Sequence, residues 1–345
     1  TRRGSPFRGF RSRVLRVIMA DRTRGNQGNA VAVEGTGGFL PPGNRFGVPA
    51  LPLESVNCYL CGASEGRILV DDPPFQVKEC QNCGLGYTTP RVQADRIHEI
   101  YESDKYFASD SAETFGYNDY DRDVEAYIRT FRRKSAWILK HAKQPPARVL
   151  EVGAAGGAFL KVMQDQGYEV HGTEVSPHMV QAARRRFGFS HLHEGRLLDV
   201  DLKDNSFDIV ALFDVIEHLP DPIAELKRCF SLLTGNGVLV LQTQDLGSRT
   251  RKLLGARWQH FKQLEHIYHF NHETLRSLLS RAGFELRATT RRNAGKYVRV
   301  AEFADRAERV CGVPRFLTSP FRWFGSRYCY VNPLDEILAV ATRKP

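Results

Sequence analysis

The most constraining feature of this 345-residue chain is the segment RVLEVGAAGG at residues 148–157. A short apolar run ends in Glu151, a glycine-rich turn follows, and AFLKVMQDQG then continues with helical periodicity. This order predicts a strand, a tight turn and a helix, which together open a nucleotide-binding α/β domain. Glycines suit such a turn because a ligand can approach the backbone closely where no Cβ stands in its way.

The spacing of the glycines bears on the identity of the ligand. A dinucleotide fingerprint requires G-x-G-x-x-G, so that a pyrophosphate rests on the helix N-terminus. Here Gly153, Gly156 and Gly157 are combined with alanines at positions 155 and 158. Glu151 at the strand tip would repel a pyrophosphate but attract a cation. We therefore predict binding of S-adenosylmethionine, which carries a sulfonium and an ammonium and has no phosphate.

A second acid follows the next predicted strand, YEVHGTE at 168–174. Glu174 lies 23 residues after Glu151, about where an acid reaches the ribose hydroxyls in such folds. Either acid alone is equally explained as a cap on the helix that follows it. Two acids at adjacent strand tips, with glycines between them, favour a ligand.

The segment SFDIVALFDVIEHLPDP at 206–222 predicts a buried strand from Phe207 to Phe213. Ligands bind at the carboxyl ends of strands in open α/β sheets, so Phe213 and the polar residues after it are predicted to line the site. Two prolines then precede a helix predicted from Ile223 to Leu233, and TGNGVLVLQT predicts another buried strand.

Together these segments resemble class I S-adenosylmethionine-dependent methyltransferases, particularly the bacterial branch that includes quinone-biosynthesis O-methyltransferases. The matching segments are EVGAAGG, TEVS, GRLLDVDLKDNSFDIV, DVIEHLPDP and EHIYHFNHETLRSLLSRAGFEL, and the resemblance covers residues 148–292. It implies an α/β fold with a Rossmann-like, mostly parallel seven-stranded sheet, helices on both faces and a final strand at 334–343. One departure is Ala155, where the family often has glycine.

The resemblance also implies which residues hold the cofactor. Glu151, Gly153 and Gly157 would contact its methionine part, Glu174 its ribose, and Leu198 and Asp199 would lie near its adenine. Gly156 and Phe213 are further candidates because of their places in the turn and at the strand end.

Four of the seven cysteines form two pairs with the spacing C-x2-C-x18-C-x2-C, namely Cys58, Cys61, Cys80 and Cys83. This spacing predicts one zinc ion in a closed, structural site. Two disulfides or a redox C-x-x-C are the alternatives, and a reducing compartment disfavours the disulfides. The segments CGLGYTTP and IHEIYESDKYF resemble the N-terminal zinc ribbon of many bacterial sugar-, antibiotic- and cell-surface-modifying methyltransferases.

We predict five regions along the chain. They are a disordered basic tail at 1–50, a zinc ribbon at 51–92, a helical linker or lid at 93–145, the cofactor-binding core at 146–292, and an insertion with the final strand at 293–345. The insertion is aromatic and basic, and would form a substrate wall, a dimer contact or a membrane-surface patch.

The net charge of +10 is concentrated in the tail. Residues 1–24 contain eight arginines and one aspartate, a charge of +7, which leaves +3 for the rest of the chain. The tail is either a basic arm for RNA or anionic membrane, or an extension that is not native. No apolar run is long enough to span a membrane, and a cytoplasmic location is expected. The sequence does not decide the oligomeric state.

Histidines are the main candidates for a catalytic base. His218 follows the predicted strand, and His260 and His266 belong to a histidine-rich segment that would cover the same edge of the sheet. Capping and packing roles are the alternatives, and a divalent-metal site built from these residues is disfavoured.

These features predict a methyltransferase acting on a small molecule, a sugar or a lipid-linked metabolite, with oxygen as the favoured acceptor atom. The alternatives are a zinc-containing RNA methyltransferase, or a non-catalytic nucleic-acid-binding protein with a relic methyltransferase domain. The low charge outside the tail makes nucleic acid the less favoured partner.

Overall fold

The computed structural model describes residues 38–40, 44, 50–102, 123–301, 308, 313–322 and 327–344. Internal contacts divide the chain into two units, Thr36–Val298 with Cys329–Pro345, and Thr1–Gly35 with Arg299–Tyr328. Nearly all of the predicted tail and most of the predicted lid lie outside the described residues. Disorder in the tail and a lid function therefore stay predictions, as do the five region boundaries.

Sixteen strands and eight α-helices are found in the described residues. The strands are β1 (Phe39–Leu40), β2 (Leu51–Glu54), β3 (Gly66–Asp72), β4 (Phe75–Cys80), β5 (Gly86–Thr89), β6 (Arg91–Val92), β7 (Arg148–Val152), β8 (Glu169–Glu174), β9 (Leu192–Glu194), β10 (Phe207–Phe213), β11 (Leu233–Gln244), β12 (Tyr268–His269), β13 (Phe284–Thr290), β14 (Lys296–Arg299), β15 (Tyr328–Val331) and β16 (Glu336–Arg343). The helices are α1 (Glu99–Glu102), α2 (Val124–Ile138), α3 (Ala158–Asp165), α4 (Pro177–Phe187), α5 (Pro222–Leu232), α6 (Arg249–Leu254), α7 (His272–Arg281) and α8 (Arg315–Arg322).

The larger unit is built on a seven-stranded sheet with the order β13-β16-β11-β10-β7-β8-β9. The pairs from β11 to β9 are parallel, and β16 runs antiparallel to both of its neighbours. The strand order reverses between β7 and β10, so the ligand crevice of such a sheet lies beyond the carboxyl ends of these two strands. The prediction of a mostly parallel, Rossmann-like sheet is confirmed.

Helices cover both faces of this sheet, because its central strand β10 carries apolar side chains on both faces. Along β10, Val210 and Leu212 belong to one buried cluster, whereas Ile209 and Ala211 belong to the other. Helices α5 and α7 contribute to the first cluster, and helix α3 contributes to the second.

The cysteine module comprises the strands β1 to β6 and the two cysteine pairs. It forms the antiparallel sheets β1-β2-β6 and β3-β4-β5, and β12 of the histidine-rich segment extends the second sheet beside β5. Its apolar residues Leu53, Phe75 and Leu85 are fully or almost fully buried in the same cluster as Leu212 of the large sheet. The module and the large sheet therefore share one core.

In the other unit, helix α8 buries Thr318, whose hydroxyl donates to the carbonyl oxygen of Arg315 at 3.0 Å. Phe316 on the same helix is 74% exposed. No helix among the described residues has the length and apolar character needed to cross a membrane.

Candidate active site

The turn after β7 has the backbone shape that the glycines predicted. Gly153 and Gly157 have φ angles of +69° and +76°. A Cβ on Gly153 would lie 2.6 Å from Cγ2 of Val215, and one on Gly157 would lie 2.4 Å from Cε2 of Phe189. Only glycine avoids both the strain and the clash at these two positions. Gly156 between them is buried.

The two predicted acids lie at the tips of β7 and β8 and are 3% and 5% exposed. Glu174 is satisfied, because its Oε2 accepts from the backbone N–H of Ala155 at 2.8 Å and its Oε1 from that of Ser176 at 2.9 Å. Oε2 of Glu151 is buried and accepts no hydrogen bond from the described residues. Burial raises the pKa of both carboxyl groups, and the charge of Glu174 raises the pKa of Glu151 further. A cationic ligand fits such an unsatisfied, desolvated carboxylate.

The residues predicted near an adenine form a single 3₁₀ turn, Leu197–Asp199. Leu198 is 48% exposed, which leaves an apolar surface open for a flat ring. Asp199 pairs with Arg196 at 2.6 Å, and this guanidinium lowers the pKa of the carboxyl group. The side chain of Asp199 is therefore already engaged.

Phe213 ends β10, as predicted, but its side chain packs among other rings. The ring centroids of Phe131 and Phe159 lie 4.9 and 4.8 Å from that of Phe213. Phe213 is 8% exposed and belongs to the core cluster on the α3 face of the sheet. Contact between this residue and the cofactor stays a prediction.

Lys134 on helix α2 is a buried residue that the sequence reasoning missed. It is 4% exposed, and its ammonium nitrogen lies 5.3 and 5.8 Å from the ring centroids of Phe131 and Phe213. Burial lowers its pKa, whereas the charges of Asp214 and Glu336 raise it. A cation therefore lies close to the carboxyl end of β10.

The structure brings His218 and His266 together, with ring centroids 4.8 Å apart. Nδ1 of His218 lies 3.0 Å from the carbonyl oxygen of Glu265, and Nδ1 of His266 lies 2.9 Å from that of His260. A carbonyl oxygen only accepts, so Nδ1 is assigned the proton in both rings, and the Tyr101 hydroxyl oxygen, 2.9 Å from Nδ1 of His218, is a second acceptor for that proton. This leaves the lone pair on Nε2 of each ring, and burial lowers the pKa of both imidazoles, which keeps them neutral.

His260 lies farther out than this pair of histidines. It is beside two acids, one in the loop before β16 and one at the start of β16. Its Nε2 is 3.5 Å from Oδ2 of Asp335 and 3.8 Å from Oε1 of Glu336. Its ring centroid is 6.4 Å from that of His266. The three predicted histidines thus form one cluster, which His269 extends into the core, where burial lowers its pKa to about 3.

Glu217 adds a carboxylate to this cluster. It is 1% exposed, and Oε2 accepts from the hydroxyl of Thr243 at 3.0 Å. Burial, and then the charge of Asp214, raise its pKa well above the ordinary range. Glu217, His218 and His266 each offer one ligand atom within 4.8 Å of the other two, which is a set that a divalent cation accepts.

The four predicted zinc ligands also lie together, with one sulfur each within 4.8 Å of the others. Sγ of Cys58 is 3.4 Å from that of Cys83, and Sγ of Cys61 is 3.4 Å from that of Cys80. All four cysteines are free thiols. A tetrahedral zinc with bonds of about 2.3 Å requires sulfurs about 3.8 Å apart, so the cluster fits this ion.

Each cysteine pair turns through the same backbone bend. The N–H of Gly62 donates to the carbonyl oxygen of Cys58 at 2.8 Å, and that of Gly84 to the carbonyl oxygen of Cys80 at 2.9 Å. Both glycines have φ near +75°. The backbone N–H of Ala63 lowers the pKa of Cys61 to about 6, which favours a thiolate at that position.

Residues 120–289 match the family model described as a methyltransferase domain. The region that contains most of the fold and the site described above is thus similar to methyltransferase domains.

Similar curated proteins are ubiquinone biosynthesis O-methyltransferases. That of Xanthomonas campestris pv. campestris is 38% identical over 112 residues, which are 31% of this chain and 47% of the relative. That of Idiomarina loihiensis is 30% identical over 105 residues, which are 28% of this chain and 42% of the relative. The chain thus spans about half the length of these curated relatives.

Two solved structures are among those similar to this chain. A putative methyltransferase from Bacillus halodurans has a TM-score of 0.44 and 17% identity, covering 61% of this chain and 98% of that chain. Magnesium protoporphyrin IX methyltransferase from Synechocystis, determined with bound SAH, also has a TM-score of 0.44 and 17% identity, covering 69% of this chain and 97% of that chain.

Proposed function

We propose that this protein is a methyltransferase that uses S-adenosylmethionine and acts on a small molecule, a sugar or a lipid-linked metabolite. The observation that carries the proposal is the buried, unsatisfied Oε2 of Glu151 beside a turn that only glycines can form. A cationic ligand without phosphate satisfies that oxygen, and the methyltransferase-domain match supports the same ligand.

In this proposal each charged group of the amino acid end of the cofactor meets a side chain of opposite charge. Glu151 receives the ammonium of the methionine part, and Lys134 is the buried cation available to its carboxylate. Glu174 receives the ribose hydroxyls. Leu198 offers its exposed apolar surface to the adenine ring, and Asp199 borders it.

Methyl transfer is an in-line displacement, so alignment and exclusion of water supply much of the rate. When bound, S-adenosylmethionine supplies an electrophilic methyl group. Nε2 of His218 or His266 accepts the proton of the acceptor hydroxyl, because the assigned tautomers leave both lone pairs free. Two neutral imidazoles favour a hydroxyl over a carbon acceptor, and we therefore propose O-methylation.

A metal-assisted form of the same reaction is a second candidate. Glu217, His218 and His266 would hold a divalent cation that lowers the pKa of the acceptor hydroxyl. The test starts from protein that has lost loosely bound divalent cations but keeps the metal of its cysteine site. If added Mg²⁺ or Mn²⁺ restores turnover, the metal-assisted form is favoured over direct base catalysis.

The four-cysteine cluster is proposed to hold one structural zinc. Four thiolates leave no open coordination position, so the ion would not take part in chemistry. It would stabilise the module by joining the two turns that contain the cysteine pairs.

Labelled S-adenosylmethionine offered with different acceptors tests the proposal directly. We would compare catechol as a quinone-precursor mimic, UDP-glucose, a polyprenyl-diphosphate-linked sugar and a short RNA. Label in one of the first three supports the proposal. Label in RNA alone, lost when residues 1–24 are deleted, would support the RNA methyltransferase instead. A chain that binds no S-adenosylmethionine in calorimetry would refute both.

Alanine variants of the histidines test the base. Replacement of His218 or His266 should lower turnover by about 10²–10⁴-fold if that residue is the base, with little change in cofactor affinity. His260→Ala should have a smaller effect, since its ring lies farther out, and His178→Ala on the exposed face of α4 is the control. Full turnover in all three site variants would leave alignment as the only source of rate.

A further inference from the structure

Strand β5 of the cysteine module lies directly against the histidine-rich segment. It pairs with β12, so that Tyr87 faces Tyr268 and Gly86 faces His269. Thr88, which is fully buried, makes two further hydrogen bonds to the residues just before β12. Its N–H donates to the carbonyl oxygen of Ile267 at 3.0 Å, and its hydroxyl donates to that of His266 at 3.0 Å.

The same segment is held on its other side by the turn after β10. The N–H of Ile267 donates to the carbonyl oxygen of Glu217 at 3.0 Å. Ile267 therefore bridges the cysteine module and the Ile216–His218 turn, with one peptide group bonded to each. The ring of His218 is anchored to this segment as well, through the carbonyl oxygen of Glu265.

The approach of β5 to this segment depends on a residue without a side chain. A Cβ on Gly86 would lie 2.8 Å from Cβ of His269 and 3.0 Å from Cδ2 of Leu246. Cβ of His269 is fixed to the backbone and cannot turn away, so any larger residue would push the strands apart.

A second contact comes from within the first cysteine pair. The hydroxyl of Tyr59, which lies between Cys58 and Cys61, donates to the carboxylate of Asp221 and accepts from the N–H of Ile223 at 3.2 Å. Asp221 is the N-cap of α5, three residues after His218. The cysteine module thus contacts the polypeptide on both sides of the histidine pair.

We propose that Gly86, Thr88 and Tyr59 are positioning residues for His218 and His266, and that the cysteine module forms a wall of the acceptor site. This proposal rests on the proposed function, since it assigns the two imidazoles to the acceptor. Through Thr88 the module binds the carbonyl oxygens of His266 and Ile267, in the segment that also supplies the Glu265 carbonyl to Nδ1 of His218. It thereby positions the His266 ring through its own backbone and the His218 ring through the neighbouring Glu265 carbonyl. Among the described residues it makes no hydrogen bond to Glu151 or Glu174, so we expect cofactor binding to be independent of it.

Matched variants test the role of the Thr88 hydroxyl and the Gly86 approach. Thr88→Val removes the hydroxyl at nearly constant volume, whereas Thr88→Ser retains it. Gly86→Ala introduces the clash with His269, and Gly235→Ala is the control because no atom lies within 4 Å of its added Cβ. Hydrogen exchange of residues 264–270, cofactor affinity by calorimetry, and turnover with the methylated member of the acceptor panel are measured for each.

In Thr88→Val and Gly86→Ala we expect faster exchange at residues 264–270 and a turnover lowered by about 10–100-fold, as is usual when a supporting hydrogen bond is lost. The dissociation constant of S-adenosylmethionine should stay within about twofold of wild type, because a lost supporting bond there would cost about tenfold or more. Thr88→Ser should recover most of the turnover, and Gly235→Ala should behave as wild type.

The proposal would be overturned if Thr88→Val kept the exchange protection and the turnover of the wild type. It would also be overturned if Thr88→Ser lost as much turnover as Thr88→Val. An equal loss of cofactor affinity would show a general folding role instead. If the wild type methylates none of the four acceptors, the proposed function fails, yet exchange and cofactor affinity still decide whether β5 positions the histidine segment.

Discussion

The backbone N–H of Ala155 donates a hydrogen bond to Oε2 of Glu174 at 2.8 Å. The glycine-rich turn and the second strand tip are therefore joined by the same carboxylate that is proposed to bind the ribose. Its other oxygen accepts from Ser176, so Glu174 supports the start of α4 as well. One side chain thus orders both the glycine-rich turn and the loop after β8.

Glu174→Ala should weaken binding of S-adenosylmethionine by about 1.5–3 kcal/mol, the usual contribution of a hydrogen bond to a charged group. Calorimetry measures the change. Glu169→Ala, at the exposed start of the same strand, is the control and should bind normally. Equal affinities in the two variants would contradict the assignment of Glu174.

Ala155→Gly should leave stability unchanged or raise it by up to about 1.6 kcal/mol. Ala155 has a φ of +45°, where a side chain costs about 1–2 kcal/mol, and glycine's extra unfolded-state entropy offsets about 0.4–1 of that gain. Denaturant unfolding measures the difference.

Gly153→Ala should have the opposite effect in the same turn, because its Cβ would meet Val215 at 2.6 Å. We expect a loss of about 1–3 kcal/mol, the usual cost of overpacking. If both variants shifted stability in the same direction, the backbone conformation described for this turn would be wrong.

Binding of S-adenosylmethionine should release protons. Burial and Glu174 raise the pKa of Glu151 well above its ordinary value of 4.5 in the free protein, so this carboxyl group holds its proton at pH values where an exposed glutamate is ionised. A cationic ligand favours the ionised form, and affinity should therefore rise with pH until the raised pKa is passed. Calorimetry in buffers of different ionisation enthalpy counts the protons. Glu151→Gln should bind more weakly and release fewer, and proton uptake by the wild type would contradict the model of charge pairing.

One zinc per chain should be retained in native mass spectrometry of protein purified without chelator. Cys83→Ser should lose it, whereas Cys329→Ser, outside the cluster, should keep it. The variant should lose order in β3 to β5 first, with the cofactor site less affected. Metal-free protein with two disulfides would refute the zinc site.

The strand, turn and helix around Gly153 could be predicted because each depends on residues near in sequence. Glycine spacing, an acid at a strand end and apolar periodicity are local signals, and the structure has all three there. The same holds for the cysteine pairs, since two residues between cysteines suffice to define the bend that brings them together.

Side-chain direction at Phe213 could not be predicted in this way. Strand β10 is apolar on both faces, so its composition does not reveal which residues face the crevice. Lys134 was missed because it belongs to the basic run RRK, and a run of charged residues is typical of a solvent-exposed helix face. Its spacing of three and four residues from the buried Phe131 and Ile138 is the signal that places it on the inner face of α2.

The pairing of β5 with β12 also constrains how the chain reaches its native state. Thr88 and His266 are 178 residues apart, so a ribosome completes β5 long before the segment that will cover it exists. Until then β5 is an open edge with unpaired backbone groups, which is the kind of surface on which nascent chains associate wrongly. The cysteine module is therefore the first part of the larger unit to be synthesised and among the last to be completed, and its final strand arrives together with the histidines it is proposed to hold.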